Sequence, residues 1–261
     1  MKLFAIFGNP VSHSKSPIMH NNVFDKLGFD GCYTRVLLED GKKLKEKFLK
    51  LNLSGANITV PHKEDAFRAC DEVVGFAKEI GVVNTIIKKG DKLIGYNTDA
   101  DGFIYAIDEL KGIKTALIIG AGGTAKALAK RLKLEDIKVD ILNRSEANLA
   151  YFKEFNTFTW SSFKPKKYDI VINTTSAGLK DEDLPAPLEL LNELLSNTNY
   201  ATDAIYGKVT PFLKLAKSKN IPTKDGLDML LGQGVLANML FTNSAYDKKE
   251  IEKHMRYALS L

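Results

Sequence analysis

The segment TALIIGAGGTAKALAKRL, residues 115–132, constrains the fold of this chain more than any other part of the sequence. An apolar strand runs directly into Gly120, Gly122 and Ala125, which have the G-x-G-x-x-A spacing, and a helical pattern follows. The first glycine allows a tight turn, the second lets a pyrophosphate approach the backbone, and the small third residue lets the helix pack on the strand. Free amides at the helix N-terminus then face the phosphates. The segment predicts a dinucleotide-binding βαβ unit; the alternative is a purely structural strand–helix turn.

The rest of the chain alternates short apolar runs with helical patterns, which is typical of an α/β fold. In the second half, right-handed crossovers predict a doubly wound parallel sheet. A stretch at 181–190, punctuated by prolines, is expected to be a loop. The predicted elements of this half are strands at 115–119, 138–142, 168–172 and 199–204 and helices near 123–133, 145–154 and 210–218.

The first half is less regular but follows the same alternation. A helix begins near Pro17, with Ser16 as its expected cap, and a hairpin turns at Lys89-Gly90-Asp91. The remaining predicted elements are strands at 2–8, 31–38 and 55–60 and helices near 41–51 and 62–74.

No flexible linker separates the halves, so the join is expected to be helical and to follow Asp99. The closing helices, near 227–241 and 247–260, are expected to return to the first domain. The sequence therefore predicts two α/β domains with a cleft between them: a mixed-sheet domain formed by 1–99 plus 227–261, and a Rossmann-like domain at 100–226.

Composition narrows the functional class. The chain has 37 basic and 32 acidic residues, a net charge of +5 that suits a small anionic ligand. The basic stretch GKKLKEKFLK fits the wet face of a helix and lacks interleaved aromatic residues, which argues against nucleic-acid binding. The four histidines show no metal-ligand spacing. Cys32 and Cys70 are too few for a disulfide framework, and both are expected to be buried. No signal peptide or membrane span is recognised, so a reduced cytoplasmic protein is expected.

The segment Asn143-Arg144-Ser145, after the second strand of the βαβ unit, bears on the choice of cofactor. An acidic residue there would accept a hydrogen bond from the ribose 2′-hydroxyl of NAD. Here Arg144 and Ser145 offer a cation and a hydroxyl to a 2′-phosphate instead. The sequence therefore favours NADP over NAD; the alternative is that Arg144 only begins a solvated helix.

Several other polar residues are ambiguous when each is taken alone. Lys63 lies at the positive end of a predicted helix, where the dipole disfavours it, which is a mild indication of function; taken alone, a solvated surface lysine is the better explanation. Asp99 is positioned to cap the next helix. Asn84 interrupts an apolar strand, so its amide needs either a ligand or a backbone partner. Gln233, on an apolar helix, has the same need. The loop containing Ser12, Ser14 and Ser16 precedes a helix N-terminus that could receive a carboxylate.

Taken together, these segments resemble the shikimate dehydrogenases. The motifs occur in the order found in that family, from Lys2 to about Gly234: FGNPVSHSKSPIMHN, GANITVPHKE, VVNTI, GYNTDADGF, IIGAGGTAKA, LNRS, INTTSAG and KDGLDMLLGQG. The resemblance implies an NADP-dependent enzyme that interconverts 3-dehydroshikimate and shikimate in aromatic (chorismate) biosynthesis, acting on a small molecule as a monomer or homodimer.

The resemblance also implies roles for individual residues. Lys63 and Asp99 would be the catalytic pair, and Tyr206 would close on the substrate carboxylate. The substrate would be held by Ser14, Ser16, Thr59, Lys63, Asn84, Asp99, Tyr206 and Gln233. The cofactor would be held by Gly120, Ala121, Gly122, Gly123, Thr124, Ala125, Asn143, Arg144, Ser145, Thr174 and Gly226.

One departure from the family pattern concerns the 2′-phosphate. The family often has a second arginine a few residues after the Asn-Arg pair, where this chain has Asn148. A weaker preference for NADP is therefore expected, unless Lys126 or Lys130 compensates. The sequence leaves two alternatives: a quinate/shikimate dehydrogenase with relaxed use of NAD and NADP, and a non-catalytic NADP sensor. The presence of both Lys63 and Asp99 favours an enzyme over the sensor.

Overall fold

A computed structural model describes all residues from 1 to 261, and these form two compact units. The first unit comprises Met1–Gly102 and Leu231–Leu261, and the second comprises Phe103–Leu230. Each unit is built around its own six-stranded sheet.

The first unit has a mixed sheet in the order β2-β1-β3-β5-β6-β4. Strand β1 is parallel to β2 and β3, whereas β5 is antiparallel to both β3 and β6. The elements in chain order are β1 (Lys2–Gly8), α1 (Ser16–Lys26), β2 (Gly31–Leu37), α2 (Leu44–Lys50, after a 3-10 turn at Gly41–Lys43), β3 (Gly55–Ile58), α3 (Lys63–Ala69), β4 (Glu72–Val73), α4 (Phe76–Ile80), β5 (Thr85–Lys89), β6 (Lys92–Tyr96) and α5 (Asp99–Ile107).

The second unit has a sheet in the order β12-β11-β10-β7-β8-β9, and all of its strand pairs are parallel. This is the doubly wound order of dinucleotide-binding folds, with the switch point between β7 and β10. The elements are β7 (Thr115–Ile119), α6 (Gly123–Leu134), β8 (Lys138–Asn143), a 3-10 helix (Leu149–Phe152), β9 (Asn156–Thr159), β10 (Tyr168–Asn173), α7 (Leu188–Leu195), β11 (Thr198–Asp203), α8 (Pro211–Ser218) and β12 (Thr223–Lys224). Helix α9 (Leu227–Phe241) begins in this unit, but from Leu231 onward it belongs to the first unit, as does α10 (Lys248–Leu259).

Both central strands are apolar along their length because helices cover both faces of each sheet. Alternate residues of β1 point to opposite faces, so Phe4 packs in one core cluster and Phe7 in another. In β7, Ile118 packs with Leu128 on one face, and Leu117 packs in a second cluster on the other. The two-domain α/β class expected from the sequence is confirmed.

The helix expected at 62–74 is wrong in its second half, because α3 ends at Ala69. Cys70 is extended, and the backbone amide of Asp71 donates to the carbonyl of Leu93, which turns the chain into β4 alongside β6. Burial is also misjudged at one cysteine. Both cysteines are free, but Cys32 is exposed on the edge strand β2.

Two expectations in the second half also need correction. Asn148 adopts a left-handed conformation (φ 64°), so the helix expected at 145–154 is reduced to the 3-10 helix, and β9 follows. The proline-punctuated loop expected at 181–190 ends sooner, because α7 begins after Pro187. Leu191 and Leu195 on α7 are fully buried, and this apolar face holds the helix against the sheet. No helix in the chain combines the length and apolar character needed to cross a bilayer.

Candidate active site

The switch point of the second unit brings the ends of β7 and β10 together. Gly120 follows β7 and has φ +113°, and a Cβ there would lie 2.7 Å from the Oγ1 of Thr174, which follows β10. Thr174 donates from both its amide and its hydroxyl to the carbonyl of Ile119, at 2.9 and 2.8 Å. Only glycine fits at position 120, and the edge where this fold class binds its ligands is therefore tightly built.

The N-terminus of α6 meets the requirements for a dinucleotide pyrophosphate. A Cβ at Gly122 would meet no atom within 4 Å, so the backbone there is open to a ligand. No side chain caps the helix, which leaves its first amides available to phosphate oxygens. Ala125 is buried where α6 packs on the sheet. Ala121, Gly123 and Thr124 complete this turn, and together these residues fit the pyrophosphate of a dinucleotide such as NADP.

The loop after β8 is held by Asn143, whose Nδ2 donates to the carbonyls of Ser145 and Ala147 at 2.9 and 3.0 Å. Its amide nitrogen therefore shapes the loop. Arg144 and Ser145 are exposed on it, where a cation and a hydroxyl can reach an anion.

The two lysines considered as compensating cations contact different residues after this loop. The Nζ of Lys126 is 3.7 Å from the ring centroid of Tyr151, in the 3-10 helix that follows the loop. Lys130 instead lies 3.8 Å from Glu154. The ring of Tyr151 therefore holds the ammonium of Lys126 beside the segment that carries Arg144.

Asp203 ties together the segments that carry Thr174 and Tyr206. Its fully buried carboxylate accepts from Asn173 Nδ2 (3.0 Å), the Ile205 amide (2.9 Å) and the Thr210 hydroxyl (2.7 Å). Burial raises the pKa of this carboxyl, while the three donors oppose the shift. The amide of Gly226 donates to the Ile205 carbonyl, so that glycine also adjoins the loop after β11.

In the first unit, the structure joins Lys63 and Asp99. Lys63 Nζ lies 2.6 Å from Asp99 Oδ2, and the two side chains are only 14% and 11% exposed. Lys63 begins α3 and Asp99 begins α5. The expected capping role of Asp99 is wrong, because Asn97 Oδ1 accepts the amides of Asp99 and Ala100. The carboxylate of Asp99 is thereby left to the ammonium.

The loop before α1 presents a pair of buried hydroxyls. Ser14 Oγ donates to Ser16 Oγ at 3.2 Å and accepts the amide of Ser16. Ser16 is therefore the first residue of α1 and not its cap, which lies at Lys15. Arg35 donates to the Ser14 carbonyl through Nε at 3.0 Å and Nη2 at 2.5 Å and fixes the loop to β2.

Asn84 finds its partner in the backbone, since its Oδ1 accepts the amide of Thr98 at 2.8 Å. Because Thr98 directly precedes Asp99, this bond connects the amide to the Lys63–Asp99 pair. Thr59, directly after β3, and Gln233, on α9, are half-buried in the same unit. Tyr206 is half-buried in the second unit.

Sequence reasoning missed Arg35 and Asp203. Asp203 carried a usable signal, because a carboxylate at the end of an apolar strand needs donors. Arg35 carried none, because an arginine on an exposed edge strand looks the same whether or not its guanidinium turns back to a loop.

These features define the class of the protein: a two-unit α/β oxidoreductase with a dinucleotide-binding fold in one unit and a Lys–Asp pair in the other. The family model described as the shikimate dehydrogenase substrate binding domain matches residues 6–86. The chain is 51% identical to the shikimate dehydrogenase (NADP(+)) of Helicobacter hepaticus, over 95% of this chain and 94% of that one. It is 45% identical to a shikimate dehydrogenase (NADP(+)) of Helicobacter pylori, over 94% of both. The chain belongs to the shikimate dehydrogenase family.

Solved structures agree with this assignment. Shikimate dehydrogenase 1 from Peptoclostridium difficile superposes with a TM-score of 0.87 at 29% identity, covering 99% of this chain and 98% of that chain. Shikimate 5-dehydrogenase (AroE) from Thermus thermophilus, in complex with NADP(H) and shikimate, gives 0.84 at 33% identity, covering 99% and 100%. The family resemblance drawn from the motifs is confirmed, as is the NADP dependence of the relatives.

Proposed function

We propose that this protein interconverts shikimate and 3-dehydroshikimate with NADP, and that Lys63 and Asp99 carry the proton chemistry. The observation that carries the proposal is the 2.6 Å contact between Lys63 Nζ and Asp99 Oδ2. A solvated surface lysine would not need a carboxylate partner that is itself largely enclosed. The ammonium of Lys63 is held where a reacting oxygen can reach it, while Asn97 Oδ1 accepts the backbone amide of Asp99 and fixes the residue that carries the carboxylate.

The chemistry divides between the two units. Bound NADPH supplies the hydride in the reducing direction. The ammonium of Lys63 stabilises the negative charge that develops on the substrate oxygen and delivers the proton to it. Asp99 holds that ammonium in place. In the oxidising direction, Lys63 takes the hydroxyl proton back.

The remaining assigned residues bind and orient. Ser14 and Ser16 donate hydroxyl hydrogens to the substrate carboxylate, and Asn84, Thr59 and Gln233 orient the ring hydroxyls. In the second unit, the residues from Gly120 to Ala125 hold the pyrophosphate, and Asn143 shapes the loop that presents Arg144 and Ser145 to the 2′-phosphate. Thr174 and Gly226 are assigned to the cofactor, and Tyr206 is assigned to the substrate carboxylate.

We assign the substrate role to residues 1–99 with 227–261 and the cofactor role to 100–226. Both cysteines are free, which suits a reducing compartment, so the proposal places the enzyme in the cytoplasm. The proposal also takes the enzyme to be a monomer or a homodimer.

The test is steady-state oxidation of shikimate and of quinate, each with NADP and with NAD, followed at 340 nm. The expected result is turnover with shikimate and NADP, and little with quinate. Comparable rates on quinate or with NAD would instead show a quinate/shikimate dehydrogenase with relaxed cofactor use. No turnover with either substrate, despite NADP binding, would overturn the proposal and leave a sensor.

A further inference from the structure

A chain of buried hydrogen bonds starts from the serine pair and runs into the sheet of the first unit. Ser16 Oγ accepts from Ser14 at 3.2 Å, and the Ser16 side chain interacts with the hydroxyl of Tyr33 on β2, where it opposes the burial-driven rise in the pKa of Tyr33. The Tyr33 hydroxyl donates to Asn57 Oδ1, on β3, at 2.7 Å. Burial raises the pKa of Tyr33 well above its ordinary value, so this hydroxyl keeps its proton.

The same chain continues from Asn57 to the Lys63–Asp99 pair. Asn57 Nδ2 donates to Thr85 Oγ1 at 3.0 Å, and that hydroxyl donates to Asn84 Oδ1 at 3.0 Å. Asn84 Oδ1 also accepts the amide of Thr98, the residue before Asp99. None of the linking side chains is more than 5% exposed.

The interior of the sheet does not by itself require polar side chains at Asn57 and Thr85. Asn57 pairs with Thr85 across β3 and β5 in the middle of the sheet, where apolar residues of similar shape would pack without the cost of buried polar atoms. What the polar groups add is orientation. The Tyr33 hydroxyl donates to Asn57 Oδ1 and Asn57 Nδ2 donates to Thr85, so the Asn57 amide turns its oxygen toward Tyr33 and its nitrogen toward Thr85.

That orientation sets what Asn84 offers to a ligand. Its Oδ1 is occupied by the hydrogen bonds from Thr85 and from the Thr98 amide, and its Nδ2 gives one hydrogen to Thr98 Oγ1 at 3.0 Å. The second Nδ2 hydrogen remains, so Asn84 presents a donor and not an acceptor. A substrate oxygen that accepts a hydrogen bond therefore fits at this position.

We propose that Asn57 is a positioning residue which, through Tyr33 and Thr85, orients both the carboxylate-binding serines and the hydroxyl-binding Asn84. The inference rests on the proposed function, because it assigns the serine end to the substrate carboxylate and the Asn84 end to a ring oxygen. The two arms of the network are separable by conservative substitutions, since Tyr33→Phe and Thr85→Val each remove one hydroxyl and keep the shape.

The test compares shikimate with its methyl ester, which lacks the carboxylate charge. For Tyr33→Phe we expect kcat/KM to fall about tenfold with shikimate through KM, and less than threefold with the ester, because only the serine end is disturbed. For Thr85→Val we expect equal losses with both compounds. Asn57→Ser, which leaves both hydroxyls without their common partner, is expected to combine the two losses.

Tyr168→Phe is the matched control, because it removes a buried tyrosine hydroxyl that bonds Asp140 at 2.6 Å in the other unit. Its kinetic constants should stay at wild-type values. Equal losses on acid and ester for Tyr33→Phe, or wild-type kinetics for both arm variants, would overturn the network. If wild-type enzyme does not turn over shikimate, the proposed function has failed on its own; calorimetric binding of shikimate to the same variants, without cofactor, then decides the positioning role.

Discussion

Replacement of Lys63 by methionine tests the proton chemistry most directly. The variant keeps the length of the side chain and removes the ammonium that lies 2.6 Å from Asp99. A positioned acid or base contributes about 10²–10⁴-fold to the rate, so kcat for shikimate oxidation should fall by that factor, or about 3–5 kcal/mol in activation free energy. The residues proposed to hold NADP lie in the other unit, so the dissociation constant for NADP should stay within about twofold of the wild-type value.

The same substitution has a separate effect on stability. Removing one partner of a fully buried ion pair costs about 3–5 kcal/mol because the other charge is left unpaired. The two side chains here keep 14% and 11% exposure, so the lower end, about 3 kcal/mol in the free energy of unfolding, is expected.

Urea titration measures that stability loss, calorimetry gives the affinity for NADP, and absorbance at 340 nm gives kcat. Lys45→Met is the matched control, because Lys45 pairs with Asp71 at 2.5 Å in the same unit but is 42% exposed; it should leave kcat unchanged and cost at most about 1 kcal/mol. Turnover by Lys63→Met within about tenfold of wild type would refute the catalytic assignment, whatever its stability.

Three further predictions concern the cofactor, the acid stability and the thiols. In calorimetry, Arg144→Ala should weaken the binding of 2′,5′-ADP about tenfold and that of 5′-AMP less than twofold. Lys126→Ala should show a smaller selective loss, and Lys138→Ala, at the opposite end of β8, should show none. Equal losses for both nucleotides would exclude a contact between Arg144 and the 2′-phosphate. Burial lowers the pKa of His20 from 6.5 to about 3, so the unfolded chain binds the proton first as pH falls. Between pH 7 and pH 5, urea titrations should show that the free energy of unfolding falls by about 2 kcal/mol more for the wild type than for His20→Gln. Parallel pH profiles for the two proteins would contradict this. Burial raises the pKa of the Cys70 thiol to about 12, whereas Cys32 is exposed. A disulfide reagent at pH 8 should therefore label only Cys32 rapidly, and Cys32→Ser should abolish the rapid labelling. Rapid labelling of both thiols would be inconsistent with the structure.

The sequence predicted those parts of the fold that depend on local periodicity. The apolar run of β7 and the glycine spacing after it identified the strand, the turn and the helix together, and the hairpin at Lys89-Gly90-Asp91 follows from turn chemistry. The two-residue strands β4 and β12 could not be predicted. They exist only because a neighbouring strand supplies hydrogen bonds, and two residues carry no periodic signal.

At the candidate site, the sequence showed which polar residues needed partners but not which partners they have. Asn84 was recognised because an amide inside an apolar strand must be satisfied, and the structure supplies the Thr98 amide 14 residues later in the chain. Asn57 presents the same signal in GANITV, yet its partners come from β2 and β5. Contacts between distant segments depend on strand register, which one sequence does not fix.

The residues proposed to bind substrate and those proposed to bind cofactor differ in how far they are already ordered, and under the proposed function this difference governs how specificity can change. In the first unit, Ser14, Ser16 and Asn84 are buried and already hydrogen-bonded, so binding orders few side chains and little entropy is lost. In the second unit, Arg144 is a long exposed side chain whose ordering costs up to about 2 kcal/mol and offsets part of its bond to a phosphate. A single exposed substitution near Arg144 can therefore alter cofactor preference without disturbing the fold. A change of substrate would require several buried partners to change together, because each hydrogen bond in that network fixes the direction of the next.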